Sequence, residues 1–226
     1  MCHHTCLDFV AKHLTEEEVS GKSFLEVGAY DVNGTVRPLV AGMNPASYVG
    51  VDIEMGPGVD VVCDAGSLAE RFGADAFDIL LCTEVLEHVR EWRTVVSNLK
   101  KVIKPGGLLI LTTRSKGFVY HGYPYDFWRY EASDMRRIFS DFLIDSLESD
   151  PLLPGVFLKA RKPRSFAEAD LSALALYSVM TESYRTGITD LDVARFRAER
   201  TVGPFLARVL PQPMKKAVKR LYDGLR

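Results

Sequence analysis

The strongest constraint on the fold of this chain lies in residues 24–34. The segment begins as a short apolar run, carries an acid and a glycine at Glu26 and Gly28, and then breaks into a polar loop. Residues 35–40 restart as a helix with Thr35 as its N-cap. A strand, a glycine turn and a helix N-terminus leave backbone N–H groups free for a nucleotide-like ligand. The GxGxxG pattern is absent, so the segment predicts a ligand site without identifying the ligand.

Apolar runs alternate with helical patterns over most of the chain. Residues 23–28, 47–52, 77–82 and 108–113 are apolar runs of the buried-strand type, and helices are expected over residues 6–19, 67–72, 91–103 and 133–140. This alternation predicts an α/β, Rossmann-like fold: a mostly parallel seven-stranded sheet with helices on both faces. Residues 142–147 and 155–160 are predicted as an antiparallel pair at one edge.

The connection between the second and third predicted strands is unusually short. The second strand ends at Asp52, the third covers residues 59–63, and only six residues lie between them. Parallel strands are normally joined by a dozen residues or more. We therefore expect an abbreviated crossover without a helix at residues 53–58.

The character of the chain changes after residue 160. We expect a ligand-binding domain with an N-terminal helix over residues 1–163 and a helical C-terminal extension over residues 164–226, with a helix at 166–180. At the end of the chain an apolar helix face is flanked by basic residues; the face comprises Met214, Val218, Leu221 and Leu225. Such a helix packs on its own domain or on a second subunit of a homodimer, or it lies peripherally on an anionic membrane. Packing on the helix's own domain or on a second subunit is commoner than binding to a membrane.

Charge, hydropathy and cysteine usage exclude several classes. A net charge of −2 argues against a general nucleic-acid binder, and no apolar run reaches the roughly 20 residues of a transmembrane helix. The N-terminus lacks a signal-peptide pattern, so we expect a cytoplasmic protein. Cys2, His3, His4 and Cys6 resemble metal ligands, but no second cluster accompanies them. We expect adventitious binding there and no functional metal site.

Five short motifs, in order, resemble the class I S-adenosylmethionine (AdoMet)-dependent methyltransferases over roughly residues 20–160. They are residues 25–28 (LEVG), 48–52 (YVGVD), 63–65 (CDA), 84–89 (EVLEHV) and 104–107 (KPGG). The chain departs from the family in the first loop, where Tyr30 and Val32 stand in the region of two further glycines. We expect a reshaped loop that still binds AdoMet.

The resemblance implies a cofactor site at the carboxyl ends of the strands. Asp52 would accept hydrogen bonds from the ribose hydroxyls and Asp64 one from the adenine amino group, whereas Glu26 and Gly28 would face the methionine portion. Taken alone, Asp52 and Asp64 are as readily explained as caps of loops. The full expected set is Glu26, Gly28, Ala29, Tyr30, Asp52, Ile53, Asp64, Ala65 and Thr83.

The loop after the fifth strand is the expected acceptor side. His121 is the best candidate for a catalytic base, since an imidazole titrates near neutrality, although an ordinary loop histidine would look the same. The expected substrate-binding residues are Tyr123, Tyr125, Asp126, Trp128 and Arg129. Asp126 and Arg129 would form an ion pair or a polar clamp, and Trp128 would equally anchor the loop to the core. His88 is expected to serve packing.

The run from His121 to Arg129 resembles loops of methyltransferases in sugar and polysaccharide chemistry. The predicted function is therefore AdoMet-dependent methylation of a small-molecule or sugar acceptor, at oxygen rather than at nitrogen or carbon. One alternative is a nicotinamide-dependent oxidoreductase, since an acid after the second strand suits that cofactor too. The other is a catalytically silent cofactor-binding or scaffold protein, which the altered first loop would allow.

Overall fold

A seven-stranded sheet forms the centre of the computed structural model, which describes residues 3–122 and 124–209. The strands in this part of the chain are β1 (Ser23–Val27), β2 (Ser47–Asp52), β3 (Val61–Val62), β4 (Phe77–Thr83), β5 (Ile103–Arg114), β6 (Trp128–Arg129), β7 (Leu143–Ser149), β8 (Gly155–Arg161), β9 (Leu176–Ser178) and β10 (Ser183–Arg185). The helices are α1 (His4–His13), α2 (Glu16–Val19), α3 (Arg37–Ala41), α4 (Leu68–Phe72), α5 (Trp92–Val102), α6 (Ala132–Ile138) and α7 (Asp190–Val209).

The strand order of the large sheet is β3-β2-β1-β4-β5-β8-β7. The first five strands in this order pair in parallel, whereas β8 is antiparallel to both β5 and β7. The predicted fold class is therefore confirmed, including the antiparallel pair at one edge. The order reverses at β1, and the carboxyl ends of β1 and β4 lie side by side there, where ligands of open α/β sheets bind.

Helices cover both faces of the sheet, and each face has its own core. Leu25 and Leu80 belong to one apolar cluster, with Trp92 and Leu99 of α5. Neighbouring strand residues such as Phe24 point the opposite way, into a second cluster with α1 and α3. The strands are apolar in succession because both of their faces are buried.

The short link between β2 and β3 contains no helix, as predicted. Asp60 holds it against β2: its backbone N–H donates to the Gly50 carbonyl oxygen (2.8 Å), and its carboxylate accepts from the Gly50 N–H (2.7 Å). The β3 strand is shorter than expected, with two residues instead of five. Parallel pairing of β2 and β3 thus rests on close backbone contact at a glycine.

Three predicted helices have different bounds. The helix expected at residues 6–19 is divided into α1 and α2, because Thr15 forms a capping box with Glu18 that starts a new helix. The helix α6 is capped by Glu131 and not by Ser133. The helix α3 begins at Arg37, and Thr35 accepts a hydrogen bond from the Arg37 N–H (3.1 Å) just before it.

The helix predicted at residues 166–180 is wrong. This part of the chain has turns and the strand β9, which pairs with β6 and β10 in a small antiparallel sheet. The Arg93 guanidinium of α5 donates to the carbonyl oxygens of Leu171 (2.8 Å) and Leu174 (2.5 Å). These carbonyl oxygens accept hydrogen bonds from a side chain and not from the backbone N–H groups of a helix. The apolar residues Leu174 and Leu176, which are two apart, both pack into the core, and this spacing is not helical.

The C-terminal extension is helical only from α7 onward in the part that the structure describes. The domain boundary near residue 163 stays a prediction. The amphipathic helix predicted around Met214–Leu225 lies outside the described residues, as does its expected contact with a membrane or a second subunit.

Replacing Gly50 by alanine should destabilise the fold. An added Cβ would overlap the Gly58 carbonyl oxygen and lie 2.8 Å from the Ala29 Cβ, so the β2–β3 link must shift. We expect Gly50→Ala to lower the free energy of unfolding by about 1–3 kcal/mol in urea denaturation. Gly187→Ala is the matched control, since nothing lies within 4 Å of its added Cβ, and it should change stability by less than about 0.5 kcal/mol. Equal stability of the two variants would contradict this account.

Candidate active site

The structure brings the predicted cofactor residues to one edge of the sheet. Gly28 follows β1, Asp52 and Thr83 end β2 and β4, and Asp64 follows β3. The N–H groups of Gly28 and Ala29 both donate to the Val51 carbonyl oxygen, at 2.9 and 3.0 Å. A pocket opens between β1, β4 and the start of α3, and its lining residues are Glu26, Gly28, Ala29, Tyr30, Gly34, Thr35, Val36 and Thr83.

Gly28 is required at the turn for two reasons. Its φ of +82° is a left-handed conformation that favours glycine, and a Cβ at this position would overlap the Val85 side chain. The turn after β1 therefore packs directly on the segment after β4. This contact places the cofactor loop beside residues 84–88.

The first loop is reshaped around Tyr30. The Tyr30 N–H donates to the Asp52 carboxylate (3.2 Å), and its ring packs against Gly56 so closely that no Cβ would fit there. The Asp31 N–H also donates to the Pro57 carbonyl oxygen (2.9 Å). The link between β2 and β3 thus supports a loop in which Tyr30 and Val32 stand where further glycines were expected, and its binding of AdoMet stays a prediction.

Asp52 keeps acceptor capacity for a ligand. Its two oxygens accept backbone hydrogen bonds from Tyr30 and Glu54, at 3.2 and 3.4 Å, whereas an ionised carboxylate offers about four acceptor positions. Asp64 accepts from the Gly66 N–H (2.6 Å) and caps a 3-10 turn that begins at Ala65. Ile53 is exposed in the loop after β2. These residues fit the edge of a nucleoside site, and their roles stay predictions.

Glu26 is a buried acid with a strongly shifted pKa. Burial raises the pKa of its carboxyl to about 7, although a hydrogen bond from the Tyr48 hydroxyl (2.5 Å) opposes the shift. The Arg37 guanidinium lies over the Tyr48 ring and pairs with Asp60. Glu26 was predicted from the sequence, and Tyr48 was missed. Tyr48 could have been found from the pairing of β1 with β2, which places it on the same face of the sheet as Glu26.

On the acceptor side, Asp126 holds both His121 and Arg129. Its carboxylate accepts from the His121 ring Nδ1 and backbone N–H, at 2.9 and 3.0 Å, and pairs with Arg129 at 2.5 and 2.7 Å. Burial would raise the pKa of Asp126, but the hydrogen bonds from Arg129 and His121 outweigh it and lower the pKa to about 2. The predicted ion pair is present, and it orients His121.

The remaining predicted substrate residues are placed differently. Trp128 and Arg129 are buried, and the Trp128 indole N–H donates to the Arg90 carbonyl oxygen (3.1 Å). Their burial gives them a structural role in anchoring the loop, and direct contact with a substrate stays a prediction. Tyr125 is half-buried beneath the Arg197 guanidinium of α7. Tyr123 lies outside the described residues.

Residues 84–88, which follow β4, contribute more polar groups than the sequence suggested. Glu84 has a φ of +56° and accepts from the Thr112 hydroxyl (3.0 Å), and burial and the nearby Glu87 raise its pKa well above the usual range. Glu84 also pairs with Arg114, which pairs with Asp150 at 3.0 Å. Glu87 is fully buried and accepts from the Thr113 hydroxyl (2.8 Å). His88 packs edge-on against His121, with ring centroids 4.8 Å apart.

The chain belongs to the methyltransferase-domain family, because a family model of that description matches residues 3–149, more than half of the chain. The predicted class is thus confirmed, and AdoMet is the cofactor that this class uses. The rival prediction of a nicotinamide-dependent oxidoreductase loses its support.

Curated relatives and solved structures agree with this class. The chain is 28% identical over 123 residues to the ubiquinone biosynthesis O-methyltransferase of Chromobacterium violaceum. The aligned region covers 49% of this chain and 50% of the relative. It is 26% identical to that of Vibrio atlanticus, over 78% of this chain and 76% of the relative. The fold is similar to Burkholderia thailandensis 1,6-didemethyltoxoflavin-N1-methyltransferase with bound S-adenosylhomocysteine, with a TM-score of 0.55, 17% identity, and coverage of 70% of this chain and 78% of that one.

The chain spans about half the length of the first of these relatives. Among residues 3–122 and 124–209, none of the helices has the length and apolar character that crossing a membrane requires.

The shifted pKa of Glu26 predicts a pH-dependent stability. The unfolded carboxyl loses its proton near pH 4.5 and the folded one near pH 7, so the folded protein binds more protons between these values. Its stability should therefore fall as the pH rises through this window. We expect Glu26→Gln to gain about 2 kcal/mol relative to the natural protein between pH 5 and pH 7.5, measured by urea denaturation. Parallel pH profiles for the two proteins would contradict the shift.

Proposed function

We propose that the protein transfers the methyl group of AdoMet to a hydroxyl oxygen of a small-molecule or sugar acceptor. The observation that carries this proposal is the position of His121. It is held by a buried carboxylate beside residues 84–88, which in turn contact the cofactor turn at Gly28.

On the cofactor side, the pocket residues supply groups suited to AdoMet. Gly28 lines the pocket, and Asp52 has acceptor positions for two ribose hydroxyls. Asp64 and Ala65 would lie at the adenine, and Glu26, Ala29, Tyr30 and Thr83 at the remainder of the cofactor. When bound, AdoMet supplies an electrophilic methyl group on a sulfonium cation.

On the acceptor side, the chain must withdraw a proton from the hydroxyl. The Asp126 carboxylate accepts from His121 Nδ1, so the neutral ring carries its proton there and keeps a lone pair on Nε2. That nitrogen is the base of this proposal. Arg129 forms an ion pair with Asp126, which keeps the Asp126 carboxyl ionised and therefore able to accept a hydrogen bond. The arrangement favours oxygen as the methylated atom, because a hydroxyl needs a base more than an amine does.

The helix α7 covers the acceptor loop. Phe196 contacts the Tyr120 ring, and the guanidinium groups of Arg200 and Arg197 lie over Tyr120 and Tyr125. An aromatic surface with cations above it suits the ring of a sugar or of an aromatic acceptor, and it excludes water from the transfer. The names of the curated relatives support an O-methyltransferase at the level of the reaction type.

The cofactor assignment predicts a selective loss of affinity. Asp52→Ala removes a charged acceptor of two hydroxyl groups, worth about 1.5–3 kcal/mol, so AdoMet affinity in calorimetry should fall about ten- to a hundredfold. Glu54→Ala is the matched control, since this exposed neighbour faces solvent and should bind AdoMet normally. Unchanged affinity in a folded Asp52→Ala protein would remove the assignment.

The base predicts a loss of turnover without a loss of binding. His121→Asn keeps a polar side chain and removes the base, so kcat should fall roughly 10²–10⁴-fold, while AdoMet affinity should stay within about threefold. His13→Asn is the control, because the His13 imidazole pairs with Glu148 and not with Asp126. Turnover is measured on a panel of hydroxyl acceptors, and its absence from the natural protein on every acceptor would favour the silent cofactor-binding alternative.

A further inference from the structure

Two arginines of α7 lie over tyrosine rings of the loop that joins β5 to β6. The Arg200 Cζ atom is 4.5 Å from the centre of the Tyr120 ring, and the Arg197 Cζ atom is 4.9 Å from that of Tyr125. The two arginines are three residues apart, so their side chains are neighbours on one face of the helix. Both are exposed to solvent. This face of α7 thus presents two positive charges at the loop.

These charges lie beside the proposed base. Tyr120 directly precedes His121, and Tyr125 directly precedes Asp126, which accepts from the His121 ring at 2.9 Å. The Tyr120 ring is held against the same loop, since a Cβ at Gly122 would overlap the Tyr120 hydroxyl group. An anion bound by the two arginines would therefore lie next to the residues that we propose to receive the acceptor.

The hydrogen-bond donors of both guanidinium groups are unused within the described part of the chain. Among residues 3–122 and 124–201, neither Arg197 nor Arg200 forms a hydrogen bond or an ion pair. A ring face has no lone pairs, so the contacts with the tyrosines leave the N–H donors available. Arg185 differs in this respect, because it pairs with Asp192 in the first turn of α7 at 3.3 Å.

We propose that Arg197 and Arg200 bind a phosphate group of the acceptor. A guanidinium binds phosphate through two parallel N–H donors, and it keeps its charge at any physiological pH. A phosphate monoester carries about −1.5 to −2 charges at pH 7, which two guanidinium groups balance, whereas a carboxylate needs only one. The tyrosine rings beneath the guanidinium groups restrict their motion, so less conformational freedom is lost when the phosphate binds.

This inference deepens the proposed function and rests on it for the identity of the reaction. A phosphate held at α7 fixes one end of the acceptor and brings a hydroxyl group of the same molecule to His121 Nε2. The methyl group passes from AdoMet to that hydroxyl oxygen, and the hydroxyl proton passes to His121. No bond of the phosphate forms or breaks. The substrate class is therefore a phosphorylated small molecule or sugar with a free hydroxyl group.

The test is calorimetric titration of the full chain with inorganic phosphate. We expect saturable binding to the natural protein. Arg197→Gln/Arg200→Gln should lower the phosphate affinity about ten- to a hundredfold, because the charge-assisted hydrogen bonds are lost. Arg136→Gln/Arg137→Gln is the matched control. It removes the same charge from two exposed arginines of α6 and should keep the affinity within about threefold.

A second variant and a second probe sharpen the assignment. Arg197→Lys/Arg200→Lys keeps both charges and loses the paired donors, so its phosphate affinity should fall at least about threefold. This variant takes the place of the glutamine variant if circular dichroism shows that the latter does not fold. Acetate has a single negative charge and should bind at least about tenfold more weakly than phosphate.

Four results would overturn the proposal. They are the absence of saturable phosphate binding, an unchanged affinity in the folded α7 variants, an equal loss in Arg136→Gln/Arg137→Gln, and acetate binding as tight as that of phosphate. Titration of the natural protein with AdoMet separates this question from the proposed function. A protein that binds phosphate through Arg197 and Arg200, but binds no AdoMet, retains the phosphate site and loses the proposed function.

Discussion

The contact between Gly28 and Val85 is the constraint on which the site depends. It joins the turn after β1 to the segment after β4, and the left-handed backbone at Gly28 allows the two loops to approach within side-chain contact. One loop carries the backbone that we propose to face the cofactor, and the other carries Glu87 and His88. The parallel pairing of β1 with β4 sets this approach, because parallel neighbours end at the same edge of a sheet. The turn at Gly28 and the segment that carries Glu87 and His88 thus become adjacent.

Buried charge is concentrated at this edge, and it serves orientation more than stability. Asp126, Arg129, Glu84 and Glu87 are all nearly inaccessible to solvent. Apolar residues of similar volume would often be as stable in their place, because the desolvation of paired charges offsets their attraction. The ion pair of Asp126 and Arg129 instead fixes the ring of His121, and the hydrogen bond from Thr113 fixes one oxygen of Glu87. The other oxygen of Glu87 is left directed toward His121.

The sheet was predictable from the sequence because its signal is local. Continuous apolar runs marked the strands, and the six-residue link identified the missing crossover helix. The segment at 166–180 was not predictable in this way, because its conformation depends on Arg93 of α5, which binds its carbonyl oxygens from about 80 residues away. Short-range patterns cannot report such contacts.

The site was predictable in its location and only partly in its chemistry. Strand ends located Gly28, Asp52, Asp64 and Thr83, and the loop after β5 located His121. The pairing of His121 with Asp126 depends on a bend of the loop that residue spacing does not determine. The burial of Glu87 also had to come from the structure, since an acid in the motif EVLEHV is equally expected at the surface. One oxygen of Glu87 has no hydrogen bond among the described residues, and this is a property of packing alone.

We expect the strand-end pocket to bind AdoMet in preference to a nicotinamide cofactor. Calorimetric titration of the natural protein with AdoMet, S-adenosylhomocysteine and NADH measures this preference. We predict binding of one molecule of AdoMet or of S-adenosylhomocysteine per chain, with no saturable heat from NADH. Saturable binding of NADH without binding of either sulfur-containing ligand would contradict it.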